Sequence, residues 1–192
     1  MLHRKVEHYY RKRHARGARV CAAFLGALII LPLAPLVYGD PGAGRRVMVD
    51  AGEVKMEVVL ANARTSSGQQ LGVTADFAIA PGWHIYGKPL PEEYTSTTVV
   101  FDDALVAKQQ LDFPKPTPVK FEMLGDTLPV YQGHFKAAGD ILLRQKLTPG
   151  EHQLGGTLSF QECNDNLCKM PQQVHFEIPI RIEPMVPAAP KS

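Results

Sequence analysis

Apolar and polar residues alternate along much of the chain. Val54, Met56, Val58 and Leu60 alternate with Lys55 and Glu57, and Leu71, Val73, Ala75, Phe77 and Ile79 with Gly72, Thr74 and Asp76. Towards the other end, Val174, Phe176, Ile178, Ile180 and Ile182 alternate with His175, Glu177 and Arg181. A period of two sends successive side chains to opposite faces of a strand, so each stretch predicts a strand with one face on a core and one toward water. Shorter runs at 83–86, 97–101, 141–147 and 154–160 predict further strands. Between them lie Pro81-Gly82, Pro89 and Pro91, Pro114 through Pro118, Ala138-Gly139-Asp140 and Pro149-Gly150, which read as breakers. Prolines at this spacing exclude long helices. About seven to nine short strands imply an all-β domain, an immunoglobulin-like β-sandwich of two antiparallel sheets. Its expected core holds Val58, Val73, Phe77, Leu158, Phe160, Phe176 and Ile178.

The first 39 residues break this pattern. A basic stretch with Arg4, Lys5, Arg11, Lys12, Arg13, Arg16 and Arg19 leads into an apolar run over 20–37, and Val37-Tyr38-Gly39 precedes Asp40. Basic, apolar and small-residue segments in that order are the signature of a secretory signal. An uncleaved anchor is the alternative reading, since about twenty uncharged residues can span a bilayer. Either reading exports the remainder. The expected organisation is a signal over 1–39, a flexible linker over 40–52, the sandwich over 53–183 and a loose tail over 184–192. The formal charge of +2 hides a segregation: residues 40–192 carry fourteen basic and eighteen acidic residues, a balance of −4. A mildly acidic body without a basic stripe excludes nucleic acid as a partner. No later stretch approaches transmembrane length, so membrane contact is expected only through the N-terminal segment, if it is uncleaved.

Export changes the meaning of the cysteines. Cys21 lies in the apolar run, leaving Cys163 and Cys168 as one pair in an oxidising compartment, where disulfides persist. A bond between them would close a loop of about six residues and contribute only about 2 kcal/mol by chain entropy. A domain of about 150 residues has core enough without it. Such a bond is either a minor turn fastener or exists to be opened and closed. The residues alone leave three readings open: a structural disulfide in a non-catalytic binding or scaffold domain, a redox pair, or a metal site. Zinc would need His84 or His134 to complete its ligands, and copper(I) would use the two thiolates with Met123 or Met170. Lys169 beside Cys168, and His84 if protonated and close, would favour a thiolate, whereas Glu162 and Asp165 oppose it. Cys163, ending a strand, is expected to be covered, and Cys168, in the returning turn, to be accessible. No Ser/His/Asp arrangement, phosphate loop or paired-carboxylate motif supports hydrolase or nucleotide chemistry.

Gln161-x-Cys163-x4-Cys168 followed by Pro171 and an alternating strand resembles the N-terminal periplasmic domain of the thiol:disulfide interchange protein DsbD. Pro81-Gly82-Trp83-His84-Ile85-Tyr86, the prolines of 114–118, and Tyr131-x-Gly133 before the strand at Ile141 resemble further features of that family, in the same order. The likeness covers about residues 53–183. It implies an immunoglobulin-like fold in which Cys163 and Cys168 cycle between dithiol and disulfide, with no metal or other cofactor. Tyr86, and His84 in place of an aromatic residue, would lie beside the pair. Phe121, Met123 and Leu124 would belong to a cap loop over 121–125 that shields it, Met123 or Leu124 standing where well-studied members carry aromatics. The implied activity is protein-disulfide reduction. Its implied partners are a separate thioredoxin-like electron donor and periplasmic client proteins bearing disulfides, since this chain carries neither a transmembrane nor a thioredoxin-like domain.

Overall fold

The structure, a computed structural model, describes residues 44–121 and 125–185. The expected signal over 1–39 and the end of the expected tail, 186–192, lie outside the described residues. Thirteen strands and no helix occur among them: β1 (Arg46–Ala51), β2 (Val54–Leu60), β3 (Arg64–Ser66), β4 (Gln70–Ile79), β5 (His84–Tyr86), β6 (Thr98–Phe101) and β7 (Val106–Asp112), then β8 (Thr117–Phe121), β9 (Asp126–Tyr131), β10 (His134–Leu143), β11 (Gly150–Phe160), β12 (Glu162–Cys163) and β13 (Gln172–Glu183). They form a five-stranded sheet in the order β1-β2-β4-β10-β7, a four-stranded sheet β3-β13-β11-β6, and a second four-stranded sheet β12-β5-β9-β8. The fold is all-β and immunoglobulin-like, as the alternation predicts.

Two details differ from expectation. Residues 40–52 are not all linker, because Arg46 to Ala51 pair antiparallel with β2. Gly52, at φ 80°, opens a two-residue turn between them, where a positive φ matches the twist of the paired strands. The architecture also exceeds two antiparallel sheets: a third sheet is present, and β3 runs parallel to β13.

The first two sheets share one hydrophobic core. Val58, Val73 and Phe77 come from the five-stranded sheet, and Leu158, Phe160, Phe176 and Ile178 from its partner; all seven are buried in a single cluster. Full burial of such side chains contributes about 1.5–3 kcal/mol each, so this core is the main source of stability. Gly156 of β11 lets the Phe176 ring into it: a Cβ there would stand 2.5 Å from the ring's Cζ.

The third sheet positions the site. β11 ends at Phe160, and after Gln161 the chain continues as β12 in the other sheet, so one extended segment serves both. Tyr86, Leu128, Val130 and Cys163 make a second, smaller buried cluster, with Leu90, Tyr94, Val119 and Phe121 packed against it. β8 is an edge strand, which accounts for Pro118 within it: an edge tolerates a residue without an N–H.

Candidate functional site

The cysteines sit on the two arms of a tight hairpin. Cys163 pairs with His84 in the sheet and forms an isolated antiparallel bridge with Cys168. On the turn side the Asn164 N–H donates to the Leu167 carbonyl at 2.8 Å, and on the sheet side the Lys169 N–H donates to the Glu162 carbonyl at 2.9 Å. The Asn164 side-chain oxygen accepts from the N–H groups of Asn166 (2.9 Å) and Leu167 (2.8 Å). That Asx arrangement satisfies turn amides that have no strand partner. Gln161 ties the hairpin down, its amide donating to the Lys169 carbonyl and its oxygen accepting from the Thr95 N–H. A disulfide joins Cys163 and Cys168, whose Cα atoms are 4.1 Å apart.

The two sulfurs differ in environment. Cys163 is 1% exposed, whereas Cys168 is an exposed residue in a segment that also exposes Leu167 and Met170, at 55% and 81%. Both cysteines line a cavity of about 480 Å³ together with His84, Tyr86, Val119, Lys120, Phe121 and residues 164–167. The Tyr86 hydroxyl lies 3.1 Å from Cys163 Sγ and 3.6 Å from Cys168 Sγ. Disulfide sulfurs carry no hydrogen, so the phenol is the donor in both contacts. His84 and Tyr86 stand edge to face at 5.7 Å, the Phe121 ring lies 4.8 Å from His84, and Tyr94 backs Tyr86 at 5.2 Å. Of the expected neighbours, the fold therefore brings His84, Tyr86 and Phe121 to the pair; Met123 and Leu124 lie outside the described residues.

Electrostatics correct one expectation. His84 does not add a positive charge: burial pushes its pKa below the ordinary 6.5, only partly opposed by the Asp165 carboxylate. Its Nε2 has no hydrogen-bond partner among the described residues. Burial, aided by the neighbouring Tyr94, raises the Tyr86 pKa above 10, so the phenol keeps its proton as a donor. Nor is the Lys169 charge directed at Cys168 alone. Its Nζ lies 2.8 Å from Glu162 Oε1 and 4.4 Å from the centre of the Trp83 ring.

Sequence reasoning reads Glu162 only as a charge opposing a thiolate and finds no role for Tyr94 or Asn164. Glu162 is fully buried, which its polar character conceals. The signal available was its position, one residue before Cys163 and opposite Lys169, one residue after Cys168.

No curated protein matches the chain. Among solved structures, the N-terminal periplasmic domain of ScsB from Proteus mirabilis is similar, with a TM-score of 0.52 at 15% identity, over 78% of this chain and 55% of that chain. The chain thus spans about half the length of that structure, and the likeness is one of fold. Residues 34–179, well over half of the chain, match the family described as the N-terminal part of the thiol:disulfide interchange protein DsbD, and the chain belongs to that family.

Proposed function

We propose that this domain is an exported, periplasmic protein-disulfide reductase that takes electrons from a separate thioredoxin-like donor and passes them to client disulfides, with Cys163 and Cys168 as its catalytic pair. One observation carries the reading: a buried and an exposed sulfur share one cavity, and a phenol donates toward both. Exchange needs in-line access to one sulfur and a stabilised leaving thiolate at the other. Cys168 meets the first requirement and Cys163 the second.

In the charging half-reaction a donor thiolate attacks Cys168 Sγ, the Cys163–Cys168 bond breaks, and Cys163 leaves as a thiolate that accepts the Tyr86 O–H. The donor's second thiolate then displaces Cys168, leaving the donor as a disulfide and the domain as a dithiol, with two protons taken up. In the delivering half-reaction the Cys168 thiolate attacks a client disulfide and one client sulfur leaves as a thiolate. Cys163 then attacks Cys168 Sγ and releases the second. Two electrons and two protons pass to the client. His84, Tyr86 and Phe121, together with Met123 and Leu124 further along the chain, serve as the shield that limits adventitious oxidation of the dithiol.

Single Cys163→Ala and Cys168→Ala variants, mixed with a thioredoxin-like protein that lacks its resolving cysteine and carries thionitrobenzoate in disulfide linkage on the remaining one, test the assignment. Attack by the retained thiolate releases thionitrobenzoate as the mixed disulfide forms. Trapping of a mixed disulfide by the variant that retains Cys168, and little by the one that retains Cys163, is the expected outcome. The opposite pattern exchanges the roles, and no trapping by either variant favours a structural disulfide.

A further inference from the structure

Directly below the cysteines lies a second connection across the same hairpin. Glu162 precedes Cys163 and Lys169 follows Cys168, so the two residues face each other one step inward from the disulfide. Their backbones are bonded, Lys169 N–H to Glu162 C=O at 2.9 Å, and their side chains are ion-paired at 2.8 Å. The Glu162 side chain is only 1% exposed; its Oε1 also accepts from the Gln172 amide at 2.9 Å, while its Oε2 has no partner among the described residues. Lys169 is held from its other side by the Trp83 ring at 4.4 Å, and its carbonyl accepts from the Gln161 amide. Adjacent strand residues point to opposite faces, so Glu162 turns away from the Cys163 sulfur and acts through the hairpin rather than on the reacting atoms.

A buried carboxylate with one orphaned oxygen is a poor means of gaining stability, since well-packed apolar residues usually do as well or better. The best-attested use of such a pair is to fix register. We infer that Glu162 and Lys169 form a non-covalent clasp that keeps the hairpin arms in register when the disulfide is open, making both residues positioning residues for its closure. The inference rests on the redox reading of the pair. With the clasp in place, the Cys163 thiolate remains opposite Cys168 and displaces the sulfur bound there, forming the intramolecular bond as the departing thiolate leaves. Without it the arms diverge, and the effective concentration of one thiol at the other falls.

Equilibration with glutathione measures closure without any protein partner: dithiol plus oxidised glutathione gives disulfide plus two reduced glutathione. It stands or falls separately from the trapping experiment. In the charge-neutral double variant Glu162→Gln/Lys169→Met, the equilibrium constant should fall about tenfold, equivalent to a potential about 30 mV less negative. Lys169→Arg, which retains the ion pair, should stay within about threefold of wild type. A folded double variant with a wild-type constant, or an arginine variant as impaired as the double variant, overturns the clasp. Hydrogen exchange on the reduced wild-type protein reads the same device without mutation. The Lys169 amide should stay protected in the dithiol form, and exchange at an unprotected rate would refute the inference.

Discussion

Tyr86 and His84 leave one short strand two residues apart and line one cavity, yet they supply different chemistry. The phenol, its pKa raised chiefly by burial, remains a donor at 3.1 Å from Cys163 Sγ, the sulfur that leaves as a thiolate in the proposed mechanism. Hydrogen bonds to charged groups are worth about 1.5–3 kcal/mol, and only part of that charge has developed in the transition state. Tyr86→Phe should therefore slow reduction of the disulfide by about tenfold. Stopped-flow reduction with dithiothreitol, which needs no docking surface, gives the rate; an unchanged value would remove Tyr86 from the chemistry. The imidazole instead couples stability to pH. Its folded pKa lies below 6.5 because burial disfavours the cation, so between the two values the unfolded chain binds more protons. The stabilising contribution is complete above the unfolded value and is lost as pH falls through the folded one. Urea midpoints of wild type should decline below about pH 6.5 more steeply than those of His84→Phe. Parallel declines would show that His84 titrates normally.

Which elements could be read from the sequence follows from what each buries. β2, β4 and β13 alternate because one face of each lies on the core, and their boundaries fall within two residues of the alternating stretches. β7 escaped because it is an edge strand exposed along most of its length, so Lys108, Gln109 and Gln110 show no apolar period. β10 begins at His134 rather than near Ile141. Ala138-Gly139-Asp140, which resembles a breaker, lies inside it, and Gly139 is needed there because a Cβ would stand 1.9 Å from the Gln110 carbonyl oxygen of β7. β8 and β9 were concealed by Pro118 and Pro129, which oppose each other in an outer pair of the third sheet. The site divides in the same way. The cysteine spacing is a local signal and is visible in the sequence. The contacts of Tyr86 and Phe121 with the hairpin depend on a sheet that period-two reasoning did not find, and only the family likeness anticipated them. The Glu162–Lys169 pair was hidden for a third reason, since burial of a charge leaves no trace in composition.

The whole molecule separates what holds it together from the pair proposed to react. The large core draws on both main sheets and includes neither cysteine, while Cys163 belongs to the smaller cluster with Tyr86, Leu128 and Val130. The disulfide spans a sequence separation of 5 residues, and closing so small a loop removes little freedom from the unfolded chain. Its entropic contribution is about 2 kcal/mol. A domain that alternates between two redox states must also remain folded in both. Reduction with excess dithiothreitol should leave the far-ultraviolet circular dichroism unchanged and lower the unfolding free energy by about 2 kcal/mol, with a single cooperative transition in each form. The hairpin hydrogen bonds of Asn164 and the Glu162–Lys169 pair should make the measured loss smaller rather than larger, because they hold the arms after the covalent bond has gone. Paired urea titrations of the oxidised and reduced protein provide the measurement. Unfolding on reduction, or a loss well above about 2 kcal/mol, would place the bond among structural staples, for which removal of a native disulfide typically costs about 2–5 kcal/mol and often abolishes folding.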